Sequence, residues 1–316
     1  MAIRAVFLGN DPWSVPTLDA LARAPDVDVV LVVTNPPRPA GRGSKLRSTV
    51  VADSARGQGL PLLEVEGIRA HEGRAGIEAA RPDAIVVVAY GEILPPELVD
   101  LPSLGAVNVH FSLLPRWRGA APVQRAILEG DQMTGITVML MDNGLDTGPT
   151  LARREETIGL EEDAGSLGAR LASLGAPMLV NALRALEAGT ATPEPQDPGA
   201  ATYAAKLLPG ERELVWSAPA DAVVRRVRAF APEPGAVTTF RGKSLRVLRA
   251  HPEPKARIDA NPTQPGQLGV GPDGVPVVEA REGGVVLLEV GPAGRKQMTG
   301  VDWARGARLE PGDRLG

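Results

Sequence analysis

Apolar and polar positions follow two rhythms along the first half of the chain. Residues 2 to 9 (AIRAVFLG) and 27 to 33 (VDVVLVV) are near-continuous runs rich in Val and Ile, and apolar residues between about 14 and 24 recur at helical spacing. This is a β-α-β opening. A second alternation follows, with a helical stretch near 48 to 58, a short strand at 61 to 64, a helix near 68 to 80 and the uninterrupted run AIVVVAY at 84 to 90. Uninterrupted apolar strands are those covered on both faces, so a mostly parallel, Rossmann-like sheet flanked by helices is expected. Further strands are predicted at 105 to 109, 135 to 141 (GITVMLM) and 150 to 158, with a helix at 120 to 129 and a long one over about 163 to 188.

The pattern then changes. The stretch beginning at residue 189, GTATPEPQDPGAAT, has the Pro, Gly and Thr content of a surface linker. It divides the chain into a first domain over 1–188, a linker over 189–206 and a second domain over 207–316. One helix near 219 to 229 precedes short runs such as AVTTF, SLRVLRA, PVVEA and GVVLLEV, separated by Gly and Pro. Short strands at that spacing indicate a small β-barrel or sandwich, taken here as an OB-like barrel.

Composition narrows the chemistry. At 316 residues, 43% hydrophobic and 23% charged, the chain suits a soluble globular protein of one or two domains. The absence of cysteine removes disulfides, thiolate nucleophiles, iron–sulfur clusters and cysteine zinc sites. Any catalytic imidazole must be His71, His110 or His251. No secretory leader or long apolar span is evident, which predicts a cytoplasmic protein. The net charge of -4 hides an asymmetry: residues 207 to 316 carry 16 cations against 13 acids, and the remainder 18 against 25. Residues 34 to 52 hold Arg38, Arg42, Lys45 and Arg47 with no acid, and 225 to 249 hold seven cations against Glu233 alone. A polyanionic partner suits both stretches, although a bare charge count more often marks solvated surface.

The segment after the first strand, FLGNDPWSVP, offers one glycine before bulky residues and prolines, which disfavours a dinucleotide-binding dehydrogenase. GxxxxGK[ST] and GxSxG are absent. What stands out is Asn108-Val109-His110 at the end of a predicted strand. Residues two apart in a strand share a face, so the amide and the imidazole project side by side into one crevice. Such a pair of donors suits an oxyanion forming at a carbonyl carbon. The loop MDNGLDTGP adds Asp142 and Asp146, either of which could steady an imidazolium or accept a proton. A single histidine is more often structural than catalytic, but these three sit at neighbouring loop mouths.

The stretch NVHFSLLPRWRGAAPVQRAILEGDQMTGITVMLMDNGLDTGPTL closely resembles the signature of the folate-dependent formyltransferases. Three details resemble the branch of that family acting on methionyl-tRNA: RPAGRGSKL at 38 to 46, FAPEPGA at 230 to 236, where Glu233 stands in place of an aromatic, and PAGRKQM at 292 to 298. The resemblance covers nearly the whole chain and implies an enzyme transferring formyl from 10-formyltetrahydrofolate to the α-amino group of initiator methionyl-tRNA. It implies Asn108, His110 and Asp146 as catalytic residues. For folate it implies Val88, Ala89, Tyr90, Gly91, Ser112, Leu113, Leu114, Pro115 and Asp142. For tRNA it implies Arg38, Arg42, Lys45, Arg225, Arg226, Arg241 and Lys243, with Arg42 reading the acceptor end. No metal is called for, and a monomer is expected. A peptide-like α-amine, of pKa about 7.7 to 8.0, is neutral often enough to attack without an activated side-chain nucleophile. The alternatives are a relative that formylates a small amine or sugar nucleotide, a formyltetrahydrofolate hydrolase, or a catalytically idle tRNA-binding relative.

Overall fold

The computed structural model describes residues 2–40, 45–253, 264–271 and 273–316. The chain forms two compact units that are not contiguous in sequence. One comprises residues up to 122 with 133–157 and 168–205, and the other comprises 123–132, 158–167 and 206–316.

The first unit is built on a seven-stranded sheet. Its strands are β1 (Ile3–Gly9), β2 (Val27–Thr34), β3 (Leu62–Glu64), β4 (Ala84–Val88), β5 (Ala106–His110), β6 (Met133–Leu140) and β7 (Thr150–Thr157). Their order is β7-β6-β5-β4-β1-β2-β3. The five strands from β3 to β5 are parallel, and β6 and β7 are antiparallel additions at one edge. The continuous apolar runs explain the parallel core: all five residues of β4 are buried, as expected for a strand covered on both faces. Helices α1 (Val15–Arg23), α2 (Val50–Gly57), α3 (His71–Ala80) and the long α5 (Ala164–Glu187, following α4, Pro122–Glu129) lie close to their predicted positions. The run at 84 to 90 is strand only to Val88, because Ala89 turns into the left-handed region with φ 44.

The strand order reverses beside β1, and open α/β sheets bind ligands at the carboxyl ends of the strands at such a point. Asn10, just past β1, ties the edges together. Its carbonyl accepts from Thr34 Oγ1 at 2.9 Å and Asn35 N at 2.8 Å, and its amide donates to the Tyr90 carbonyl. The basic stretch, read from sequence as a loop, has paired arms: Arg38 faces Arg47, Pro39 faces Leu46 and Ala40 faces Lys45. Arg42 lies outside the described residues.

The second unit contains β8 (Ala236–Phe240), β9 (Lys243–Glu253), β10 (Leu268–Val270), β11 (Pro276–Glu279) and β12 (Gly284–Pro292), in the order β8-β9-β12-β11-β10. The chain's last residues close this sheet into a barrel. Leu315 bridges Phe240 on β8, and Arg314 bridges Gln267 beside β10. Backbone bonds from Gly316 N to Thr239 O, Leu315 N to Gly266 O and Leu268 N to Asp313 O complete the seam. Helix α6 (Ala220–Phe230) buries Val223, Val224, Val227 and Phe230. A last helix, α7 (Gly300–Ala307), was not predicted. Its signal is Thr299, whose hydroxyl caps Asp302 N at 3.1 Å.

Candidate active site

The geometry begins with β5. Val107 and Val109 are fully buried, and Val109 faces α5, where a Cβ on Gly175 would come within 2.9 Å of it. Asn108 and His110 therefore occupy the opposite face together, as strand periodicity requires. Asp146 arrives by a less direct route. Strand β6 is antiparallel, pairing Leu140 with Val107 and Thr137 with His110, so the 141–149 loop leaves beside the beginning of β5 rather than its end. The loop must fold back along the sheet face. It does so tightly: Leu140 N donates to Pro149 O at 3.0 Å, and Gly148 sits where any Cβ would lie 1.9 Å from Leu140 O.

Folded back, Asp146 meets both partners. Its Oδ1 accepts from Asn108 Nδ2 at 3.3 Å, and its Oδ2 lies 3.6 Å from His110 Nδ1. The Oδ2 atom also accepts from Gly119 N at 2.8 Å. The other ring nitrogen of His110, Nε2, donates to the Trp117 carbonyl at 2.8 Å. Nε2 is thus committed to the Trp117 carbonyl, whereas Nδ1 faces the carboxylate from beyond hydrogen-bond distance. His110 is 6% exposed, so these contacts operate largely away from water. Asp146 and Trp117 hold left-handed backbone conformations, φ 53 and 63, which aspartate tolerates and which a bulky tryptophan keeps only where its surroundings impose it.

Asp142 takes a different position. It is exposed, and its Oδ1 accepts from Gly144 N at 3.0 Å and Thr147 Oγ1 at 2.6 Å, shaping the loop. The SLLP turn is fastened to β6 by Thr137, whose hydroxyl donates to Ser112 O at 2.7 Å and accepts from Leu114 N at 3.1 Å. Ser112 and Leu114 are fully buried, while Leu113 and Pro115 are half-buried. Of the 88–91 segment, the Tyr90 ring packs into the core with Leu8 and Val33, and burial, with Glu92 adding, pushes its hydroxyl well above its ordinary value. Gly91 turns with φ 88.

The cations implied for tRNA divide. Arg38 and Lys45 are exposed on the hairpin arms, and Lys243 is exposed on the barrel. Others are committed to internal bonds: Arg225 Nε donates to Leu128 O at 3.1 Å, and Arg226 Nη1 to Glu213 O at 2.8 Å. Arg241 grips Asp313 at 2.7 and 3.0 Å, a hydrogen-bonded pairing that raises its pKa. Arg228, although counted in the same basic cluster, donates to Glu162 O and Gly159 O. Two polar residues beside Asp146 had no sequence signal of this kind: Arg118, 4% exposed, and Gln196 in the linker stretch, which bond each other at 2.7 and 3.1 Å.

Comparison with known proteins bears on this arrangement. Residues 3–183 match the formyl transferase family, and residues 206–308 match the formyl transferase C-terminal domain. A methionyl-tRNA formyltransferase from Halorhodospira halophila is 46% identical over 318 residues, covering 99% of each chain. Among solved structures, methionyl-tRNA formyltransferase from Clostridium thermocellum is similar in fold, with a TM-score of 0.58 and 17% identity over 79% of this chain and 93% of that one. HypX from Aquifex aeolicus in complex with tetrahydrofolic acid also shares the fold, with a TM-score of 0.64 and 17% identity over 96% of this chain and 47% of that one.

Proposed function

The chain belongs to the formyl transferase family, and from that membership and the Asn108, His110 and Asp146 cluster we propose that it transfers formyl from 10-formyltetrahydrofolate to the α-amino group of initiator methionyl-tRNA. The observation that carries this reading is the convergence of two donors and a carboxylate from distant segments on one partly dry sheet face. The neutral amine attacks the formyl carbon and a C–N bond forms. Asn108 Nδ2 and the Nδ1 side of His110 stabilise the resulting oxyanion. Asp146 accepts the proton that the amine must lose and holds the imidazolium beside it. The bond between the formyl carbon and N10 of the folate then breaks, N10 takes up a proton, and tetrahydrofolate leaves.

The donor's ring system is assigned to the 88–91 turn with Leu113, Pro115 and Asp142, where mostly apolar groups with a few polar ones suit a flat ligand. Ser112 and Leu114, being buried, support that wall from behind. The tRNA is assigned to the hairpin arms carrying Arg38 and Lys45, to Arg42 of the same stretch of sequence, and to Lys243 on the barrel. Arginine suits the acceptor end, since its planar fork bonds base edges and phosphates. Arg225, Arg226 and Arg241, already bonded internally, contribute positive potential to the barrel surface.

The test is a formylation assay with labelled donor, comparing initiator and elongator methionyl-tRNA with an amino sugar nucleotide and with water. Preferred transfer to the initiator is expected. Label appearing on the sugar nucleotide, or released as formate without tRNA acceptance, overturns the substrate assignment. In the same assay Arg42→Ala narrows the preference for initiator over elongator.

A further inference from the structure

We infer that Gln196, in the stretch linking the long helix to the barrel segment, is a positioning residue for Asp146. The side chain uses its whole hydrogen-bonding capacity. Its Nε2 donates to Asp146 O at 2.9 Å and to Gly148 O at 2.7 Å, and its Oε1 accepts from Arg118 Nε at 3.1 Å and Nη2 at 2.7 Å. Arg118 lies between Trp117, whose carbonyl receives His110, and Gly119, whose N–H holds the Asp146 carboxylate. Gln196 therefore closes a ring of contacts. One side of the ring is the 117–119 backbone that orients the imidazole, and the other is the 146–148 backbone that presents the carboxylate.

The stretch is anchored to do this. Two residues earlier, Glu194 exchanges backbone bonds with Thr150 at the start of β7, 2.8 and 2.9 Å. Six residues later, Thr202 Oγ1 accepts from Trp117 N at 2.9 Å. Such a support matters because the Asp146 backbone, at φ 53, lies in the left-handed region, which aspartate tolerates better than most residues but still at a cost in free energy. The 141–149 loop has folded back along the sheet, and the two carbonyls that Gln196 holds are in the part of the loop that returns to β7. Without those bonds nothing else described fixes the Asp146 carbonyl, and a displacement of about 1 Å at a reacting group can cost 100-fold in rate.

The inference rests on Asp146 acting in the reaction, so the experiment measures Gln196→Glu, Gln196→Ala, Asp146→Asn and the Asp146→Asn/Gln196→Glu double variant under single-turnover conditions. Glutamate keeps the acceptor for Arg118 but offers the Asp146 and Gly148 carbonyls no donor. Gln196→Glu is expected to lower the rate roughly 10- to 100-fold with KM for donor and tRNA little changed. Its pH–rate profile should change in the same sense as that of Asp146→Asn, and it should add no further loss in the Asp146→Asn background. Unaltered turnover in Gln196→Glu, a full additional loss in the double variant, or loss of cooperative melting in both Gln196 variants in place of a rate effect would each overturn it. An Asp146→Asn enzyme with full activity would instead sink the proposed role of Asp146 itself.

Discussion

The Oδ2 atom of Asp146 lies 3.6 Å from Nδ1 of His110, although one residue ends a parallel strand and the other sits in a hairpin loop that starts at that strand's opposite end. The relationship gives the imidazole an acceptor on each side, the carboxylate and the Trp117 carbonyl. It also brings the Asn108 amide alongside, its Nδ2 donating to Asp146 Oδ1 at 3.3 Å.

In the proposed mechanism Asn108 and His110 are the donors to the oxyanion, so truncating either is expected to remove transition-state stabilisation while leaving the sheet intact. His110→Ala and Asn108→Ala should each lower kcat by about two to three orders of magnitude, or roughly 3 to 4 kcal/mol of activation free energy. Melting and tRNA affinity should stay near normal, measured by thermal denaturation and filter binding. Near-full turnover in either variant removes that residue from the mechanism.

Gly148 is where the loop touches the strand it left. A Cβ there would stand 1.9 Å from Leu140 O, so Gly148→Ala must displace the loop that carries Asp146. Overpacking of this kind typically costs about 1 to 3 kcal/mol. A fall in both melting temperature and kcat is expected. Gly57→Ala at the end of α2, with nothing within 4 Å of the added carbon, serves as the control and should lower neither. Wild-type activity in Gly148→Ala would show that the loop tolerates the shift.

Glu279 on β11 is 4% exposed, and its Oε1 has no hydrogen-bond partner among the described residues. Burial raises its pKa. A folded-state pKa above the unfolded value means that the favourable term, the neutral buried acid, is fully present below the unfolded pKa of about 4.3. It is lost as pH rises through the folded pKa. The barrel should therefore lose stability as pH climbs away from 4, and Glu279→Gln should flatten that decline. Parallel melting curves for the two proteins between pH 4 and 7 would show that Glu279 finds compensation.

The barrel seam predicts a sharper effect. Leu315 is 3% exposed, and residues 313–316 bond both β8 and the backbone beside β10. Removing these four residues deletes those bonds and the Arg241–Asp313 pair, and it uncovers two strand edges. The melting transition of the barrel should fall by several degrees and the protein should aggregate more readily on warming, as followed by light scattering. Unchanged melting would mean that the seam contributes little.

Features that depend on near neighbours are legible along the chain alone. Strand periodicity put Asn108 and His110 on one face because successive side chains alternate with a period of two, whatever the sheet around them. Continuous apolar runs specified the buried parallel strands, and helical spacing specified the long helix over Ala164–Glu187. Features that depend on chain reversal and pairing at a distance emerge only with the folded chain. Asp142 and Asp146 share one loop and one residue type, and only the fold-back of that loop separates the exposed turn-shaper from the carboxylate beside His110. Arginines that sequence counts as equal charges differ because Arg225, Arg228 and Arg241 meet carbonyls or a carboxylate brought from far along the chain. The same holds for Gln196 and Arg118. A buried hydrogen-bonding group is legible only with its partner, and these partners, 78 residues apart, have no local pattern to announce them.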